Sequence, residues 1–361
     1  MRSFADLPGR LAALAGEWER IAVVLLDGLG RHLLDPHARH PLLRRLVADG
    51  ELVPVASQFP STTTAELTTL YTGRPVGEHG LYEWQIYEPA LDAVILPLPW
   101  VLAGSDAPPA LDPAEIVPSP TLFERLAAAG IRCTALQPDR IWPSRYGSAA
   151  LAGSEVVPFK GVADGAAALA RALARPGLAY LYWDGIDYAG HLHGPSSEPF
   201  AAAAHKALDA VARAAAALPA GTLLVLAADH GQIDVHPERL DYLDVAWPEL
   251  TDHLRPLPPA GSARDCFLHV HPGAADAVAA ELAERLGERA EVRTVADLVA
   301  EGAFGAVGPR LRARLADVCV LPAPGRMAWL KAFGGHEQRF RGHHGGRTRE
   351  EVDTWVGLLP V

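Results

Sequence analysis

The sequence predicts an α/β fold, with a mostly parallel sheet covered by helices on both faces and a small inserted α+β unit. Three observations carry that expectation. Short apolar runs, bounded by turn or charge signals, alternate with helical stretches. The runs end in carboxylate-bearing turns, as at Asp27-Gly28 and Asp229-His230. After a proline-rich stretch at 255–260 the rhythm changes.

In chain order, Ile21–Leu26, Arg132–Leu136, Ala179–Trp183 and Leu223–Ala227 read as buried parallel strands. Helical stretches fall at Ser119–Ala129 and at the alanine-rich Pro199–Leu218. Strand alternating with helix argues for an open sheet covered on both sides. Beyond the prolines, Cys266–Val270, Val292–Thr294 and Ala316–Leu321 read as strands and Ala274–Leu286 as a helix. The expected organisation is a core of residues 1–259 and 323–361 interrupted by a cap of residues 260–322, because a candidate ligand, His344, lies beyond the interruption. The cap is expected to overhang the site and govern substrate choice.

Bulk composition narrows the function. The chain has 361 residues, enough to bury a large core. A net charge of −11 argues against a basic surface for a nucleic acid polymer. A small anionic substrate would then need local positive charge, for which bound metal ions are the natural source. Three scattered cysteines indicate neither a disulfide framework nor a thiolate zinc site. No window approaches the apolar length of a membrane span, and the N-terminus lacks a signal-like run, so the expected location is cytoplasmic. Nothing in the sequence sets an oligomeric state.

Five short blocks carry the chemistry. In IAVVLLDGLGR, Asp27 follows a buried strand and so lies at the carboxyl edge of the sheet, where open α/β sheets bind ligands; the alternative is a helix-capping aspartate. In FPSTTTAELTTLYTGRPVGEHG, Thr63 and Glu66 fit a capping box, which places the Thr63 hydroxyl at a helix N-terminus suited to a phosphate oxygen. A hydroxyl needs a base or a metal to become a nucleophile near neutral pH.

Ligands of the right kind occupy the other blocks. Asp187 and His191 are four residues apart, which puts them on one helix face or, with Gly190 and Gly194, on a tight loop. Asp229 and His230 end an apolar strand, and Gly231 permits the sharp turn that would let both converge. GHHGGR supplies His343 and His344. Carboxylate with imidazole suits zinc or manganese better than calcium. Asp184 and His193 are weaker candidates. Tyr82 and Trp84 offer either a stacking surface for substrate or ordinary packing against the sheet.

Together the blocks resemble the type I phosphodiesterase/nucleotide pyrophosphatase family of the alkaline phosphatase superfamily. The matching signatures are FPSTT with TGRPVGEHG, D-x-x-G-H-x-x-G-P from Asp187 to Pro195, A-D-H-G from Ala228 to Gly231, and G-x-H-G from Gly342 to Gly345. The resemblance implies an alkaline-phosphatase-like mixed sheet flanked by helices and two divalent metal ions, which in the family are zinc; manganese also suits the donor chemistry above. It implies that Asp27, Asp229 and His230 hold one metal, which also contacts Thr63, and that Asp187, His191 and His344 hold the other. Thr63 would attack phosphorus of a small phosphorylated substrate and form a phospho-threonine intermediate. Two departures bear on the substrate. The family's nucleotide-cleaving members carry an aromatic residue where this chain has Thr64, and an asparagine donating to a phosphate oxygen where it has Glu66. Glu66 is therefore a candidate substrate contact that either holds the substrate differently or turns away into the capping box.

The expected function is metal-dependent cleavage of a phosphodiester or phosphoanhydride. A phosphomonoesterase or a phosphonate C–P hydrolase of the same superfamily is the near alternative. A sulfatase is disfavoured, because Thr63 stands where that chemistry needs a modifiable Cys or Ser. The alternative of another class is a non-catalytic metal- or anion-binding member that kept only the scaffold.

Overall fold

The structure is a computed structural model that describes residues 1–335 and 337–361; His336, which the sequence leaves without a role, lies outside the described residues. Eleven strands build the two sheets that frame the site. They are β1 (Arg20–Leu26), β2 (Glu51–Ala56), β3 (Cys133–Pro138), β4 (Glu155–Phe159), β5 (Gly177–Trp183), β6 (Thr222–Ala227), β7 (Ala260–Ser262), β8 (Asp265–Leu268), β9 (Ala290–Thr294), β10 (Val318–Pro322) and β11 (Asp353–Pro360).

A seven-stranded sheet runs in the order β2-β11-β6-β1-β5-β3-β4. Its strands are parallel except β11, which lies antiparallel between β6 and β2. Strand β1 shows why the central runs are apolar without alternation. Ile21, Val23 and Leu25 point into one hydrophobic cluster, while Ala22, Val24 and Leu26 point into the other. Helices Leu7–Glu17, Thr63–Thr72 and Leu122–Ala128 cover the first face. Helices Pro41–Asp49, Val162–Ala172 and Glu198–Ala217 cover the second.

The four expected strands are present within two residues of their predicted bounds, and β2, β4 and β11 are additional. Both edge strands, β2 and β4, carry a proline (Pro54, Pro158) and are only partly buried, so they lack the apolar signature of the centre. The alanine-rich stretch is the 20-residue helix Glu198–Ala217, capped by the Ser197 side chain accepting from the Phe200 amide. No helix among the described residues is long and apolar enough to cross a membrane.

Residues 260–322 form a four-stranded antiparallel sheet, order β7-β8-β10-β9, with three helices: Ala275–Leu286, Val295–Ala300 and Pro309–Arg314. Val278 and Leu282 pack beside Trp247 and Trp329, which lie outside that segment. Phe267, Val295, Phe304 and Leu311 belong to the same cluster as the main-sheet helices. Two buried ion pairs add to the attachment: Arg264 forks onto Glu351 at 3.0 and 3.1 Å, and Arg314 meets Glu88 at 2.7 and 2.9 Å.

Candidate metal centre and catalytic site

Topology brings the candidate blocks to one edge. Because β1, β5 and β6 are parallel, the segments after them leave the sheet on the same side. Asp27 follows β1, the helix Gly185–His193 with Asp187 and His191 follows β5, and Asp229-His230 follows β6. The antiparallel β11 enters from that side, so the preceding loop delivers His344 there. Of the two placements open for Asp187 and His191, the helix is the one observed, with Asp187 Oδ2 and His191 Nε2 3.2 Å apart. Gly231 serves close approach: a Cβ there would meet the Glu350 carbonyl oxygen at 2.0 Å and crowd Gly30.

One expectation is corrected. The helix cap is Thr62, whose side chain accepts from the Ala65 amide, so Thr63 is the first helical residue and forms no capping box with Glu66. The Thr62 hydroxyl is thereby committed and that of Thr63 is free to face the site. Thr63 Oγ1 lies 3.1 Å from His230 Nε2 and 3.5 Å from Asp27 Oδ1. Glu66 turns away from the cavity, fully buried. Its carboxylate accepts from the Ser57 hydroxyl at 2.8 Å, the Gln58 side-chain amide at 2.9 Å and the Gln58 backbone amide. Burial pushes its pKa up to about 8 despite those donors. Glu66 is not among the residues lining the cavity, whereas Trp84 is. Tyr82 is buried edge-on against Phe267 and Phe304 and serves packing.

The three candidate imidazoles share one arrangement. His191 Nδ1 donates to the Gly342 carbonyl at 2.9 Å, His230 Nδ1 to Gly231 at 3.0 Å, and His344 Nδ1 to Ser61 at 2.9 Å. A proton fixed on Nδ1 leaves the Nε2 lone pair of each ring pointing at the carboxylates. His230 Nε2 lies 3.4 Å from Asp27 and 3.6 Å from Asp229, and His344 Nε2 lies 3.6 Å from Asp187. The His230 and His344 rings stack at 3.8 Å, a contact that two imidazolium charges would oppose. Burial likewise pushes His344 well below the ordinary histidine range.

Three carboxylates converge in the same space. Burial, then the neighbouring Asp229 and Asp187 charges, push Asp27 well above the usual carboxylate range. Burial also raises Asp229, whose Oδ1 accepts from the Gly28 and His230 amides at 3.1 and 3.0 Å. Asp187 is the exception: burial opposes ionisation, but the surrounding His191, His344 and His230 imidazoles hold it low.

Lone pairs facing carboxylates call for a cation between them, and the donor atoms fit one. Asp187, His191 and His344 each offer an atom within 4.8 Å of the others, as do Asp27, Asp187 and His230. Asp229 Oδ2 is buried without a hydrogen-bond partner, as a ligand oxygen would be. A separate trio, His40, His205 and Asp209, fits less well. There His40 Nδ1 accepts from the Leu42 amide, which keeps the ring proton on Nε2 facing Asp209.

Supporting residues are visible only in three dimensions. Tyr182, inside β5, donates to Asp27 Oδ2. Gln232 is buried and donates to both the carboxylate and the backbone carbonyl of Asp187, the latter at 3.1 Å. Their signal in the sequence is adjacency alone, since Tyr182 lies within YLYWDG and Gln232 follows ADHG. His193 is exposed, and Asp184 pairs with Arg140. His343, whose role the sequence leaves unassigned, lines the cavity with a buried, unpartnered Nε2. The cavity over the site measures about 740 Å³ and also takes in Gly261, Ser262 and Ala263 of residues 260–322.

Comparison with known proteins identifies the family and the fold. Residues 21–347 match the family described as type I phosphodiesterase / nucleotide pyrophosphatase. Among solved structures, murine ectonucleotide pyrophosphatase/phosphodiesterase 5, an inactive variant in complex with AMP, superposes with a TM-score of 0.72 at 16% identity. That alignment covers 95% of this chain and 88% of the murine one. The human counterpart gives 0.71 at 17% identity, covering 94% and 87%. Phosphonoacetate hydrolase from Sinorhizobium meliloti 1021, in complex with phosphonoformate, gives 0.69 at 17% identity, covering 94% and 90%. No curated protein matches in sequence.

Proposed function

For a chain that belongs to the type I phosphodiesterase/nucleotide pyrophosphatase family of the alkaline phosphatase superfamily, and so to a family of hydrolases, we propose cleavage of phosphodiester or phosphoanhydride bonds with Thr63 as nucleophile. What supports this best is the trio of imidazoles whose Nε2 lone pairs face carboxylates beside the Thr63 hydroxyl. Asp27, Asp229 and His230 would hold one divalent ion and Asp187, His191 and His344 the other. Zinc suits this nitrogen–oxygen donor set, and manganese is the second choice. Bound there, the metals would supply Lewis acidity and a lowered pKa for coordinated oxygen.

The remaining steps belong to the chain. Thr63 Oγ1 lies 3.1 Å from His230 Nε2 and 3.5 Å from Asp27 Oδ1, so the hydroxyl would lie beside the ion those atoms would hold and lose its proton to solvent more readily. Attack by Oγ1 forms the Oγ1–P bond as the bond to the leaving oxygen breaks, and that oxygen departs with a proton. Water then cleaves phospho-Thr63, returning the hydroxyl and releasing the phosphorylated product. Tyr182 and Gln232 hold Asp27 and Asp187 in place. The core, residues 1–259 and 323–361, carries every residue of this chemistry, and residues 260–322 shape the cavity through Gly261–Ala263.

A phosphonate or monoester substrate is the second reading. It is favoured by Thr64, which is small and buried where the nucleotide-cleaving members carry an aromatic ring. Hydrolysis of paired p-nitrophenyl substrates, a monoester and the thymidine 5′-monophosphate diester, with and without added zinc or manganese, separates the two. Metal-dependent preference for the diester is the expected result. Preference for the monoester would move the chain to the second reading, and no turnover of either would sink the proposed reaction.

A further inference from the structure

Resting on the phosphohydrolase reading above, we infer that the substrate carries a second anionic group, joined to the scissile phosphorus through an apolar spacer, and that Arg145 binds it. The cavity has two ends of opposite chemistry. One holds the acidic cluster around Thr63. The other is built by the segment after β3, where Arg140 and Arg145 are the only lysine or arginine side chains among the described residues lining the cavity.

The two arginines are not equivalent. Arg140 is ion-paired with Asp184, and its guanidinium sits 5.9 Å from the Trp183 ring centroid, so its charge is already answered. Arg145 is exposed, lines the cavity, and makes no hydrogen bond or ion pair among the described residues. An unpaired guanidinium on a residue that lines a cavity offers a planar fork that matches a carboxylate or phosphate.

Topology supplies the spacing. Strand β3 lies two places from β1 in the sheet, through β5. With neighbouring strands ~4.8 Å apart, the segment after β3 starts roughly 10 Å from the end of β1. Tyr146, next to Arg145, meets Thr68 on the Thr63 helix at 2.8 Å, so Arg145 sits on the same side of the sheet as Thr63. The lining also carries large apolar side chains. Ile141 and Tyr188, 38% and 60% exposed, line the cavity together with Trp142 and Trp84. Large apolar side chains kept open toward a cavity are a surface for an organic spacer. The geometry therefore describes a phosphoryl group, an apolar stretch and a distal oxyanion.

The test uses metal-supplemented enzyme and three p-nitrophenyl phosphodiesters that share one scissile bond. Their second alcohol is a chain of about six carbons ending in methyl, carboxylate or phosphate, a length matched to the strand spacing. Wild type should favour an anionic tail about two- to fivefold in kcat/KM, the size expected of one exposed charge pair, and the favour should shrink as salt rises. Whichever tail gains more identifies the distal group as carboxylate or phosphate. Arg145→Ala should erase most of that preference and Arg145→Lys restore part of it. Equal kcat/KM for the three tails, or a preference that survives Arg145→Ala, would overturn the inference. If none of the esters is hydrolysed, it is the hydrolytic reading that fails. The anion site is then read by calorimetry, comparing a hexane bearing a phosphonate at both ends with hexylphosphonate. Tighter binding of the doubly charged chain, lost in Arg145→Ala, supports the site, and equal binding by both chains overturns it.

Discussion

The two ends of the cavity are built by different rules. At the metal end, the backbone anchors each imidazole: Nδ1 of His191, His230 and His344 is tied to a main-chain carbonyl. Asp229, His230 and Asp27 are fully buried at strand ends. At the far end, Arg140, Ile141 and Arg145 are exposed on the connection after β3, and Arg145 is tied to nothing among the described residues. Reacting groups must be held within fractions of an ångström, so they sit on rigid elements, whereas recognition of a distal group tolerates side-chain motion. Chemistry and selection are thus separable here, and variants at the two ends should fail in different ways.

The largest expected effect is at the nucleophile. Thr63→Ala removes the attacking oxygen and leaves the six candidate ligands in place. It should lower kcat at least about a thousandfold, the scale seen when a covalent nucleophile is deleted. Its metal content, measured by elemental analysis, should match wild type. Wild-type turnover in this variant would remove Thr63 from the mechanism. Loss of metal with loss of turnover would make Thr63 a ligand before it is a nucleophile.

Next in size is the residue behind a ligand. Gln232→Leu keeps the volume and deletes both donations to Asp187. Partners behind a ligand typically account for about ten- to a hundredfold in metal affinity, so the variant should need that much more metal for half-maximal activity. Saturating metal should recover most of kcat. An unchanged metal requirement would reduce Gln232 to packing and weaken the case that the metal end owes its rigidity to such contacts.

The same division explains what was legible. Asp27, Asp187, His191, Asp229, His230 and His344 fall in ordered blocks because each is fixed to the start or end of a regular element, and such ends leave turn signals. In the block proposed to hold the nucleophile, the helix start was legible but its capping residue was off by one. Three consecutive threonines offer the same capping chemistry, and only the backbone shows that Thr62 takes it. Edge strands β2 and β4 were not legible, because a half-exposed strand with a proline carries neither a buried run nor a clean alternation. The far wall left no signal. QPDRIWPSRYG obeys no spacing rule, and Arg145 becomes a candidate only once β3 is known to lie two places from β1.

The smallest expected effect on the chemistry is at Glu66, one turn along the helix from Thr63 and facing away from the cavity. Burial raises its pKa from 4.5 to about 8 in the folded protein. In the unfolded chain the group ionises first, so the folded state binds the proton more tightly across that interval. Glu66 thus contributes most favourably to stability below about pH 4.5, loses that contribution as pH rises toward about 8, and changes little beyond it. Glu66→Gln cannot titrate. Whatever fixed cost the amide brings by re-pairing Ser57 and Gln58, the difference between variant and wild type should tilt toward the variant from about pH 5 to about pH 8. Urea unfolding midpoints at those two pH values read the tilt directly. A constant difference would mean that the donors from Ser57 and Gln58 outweigh burial and keep Glu66 ionised, and the helix that presents Thr63 would then rest on a buried charge.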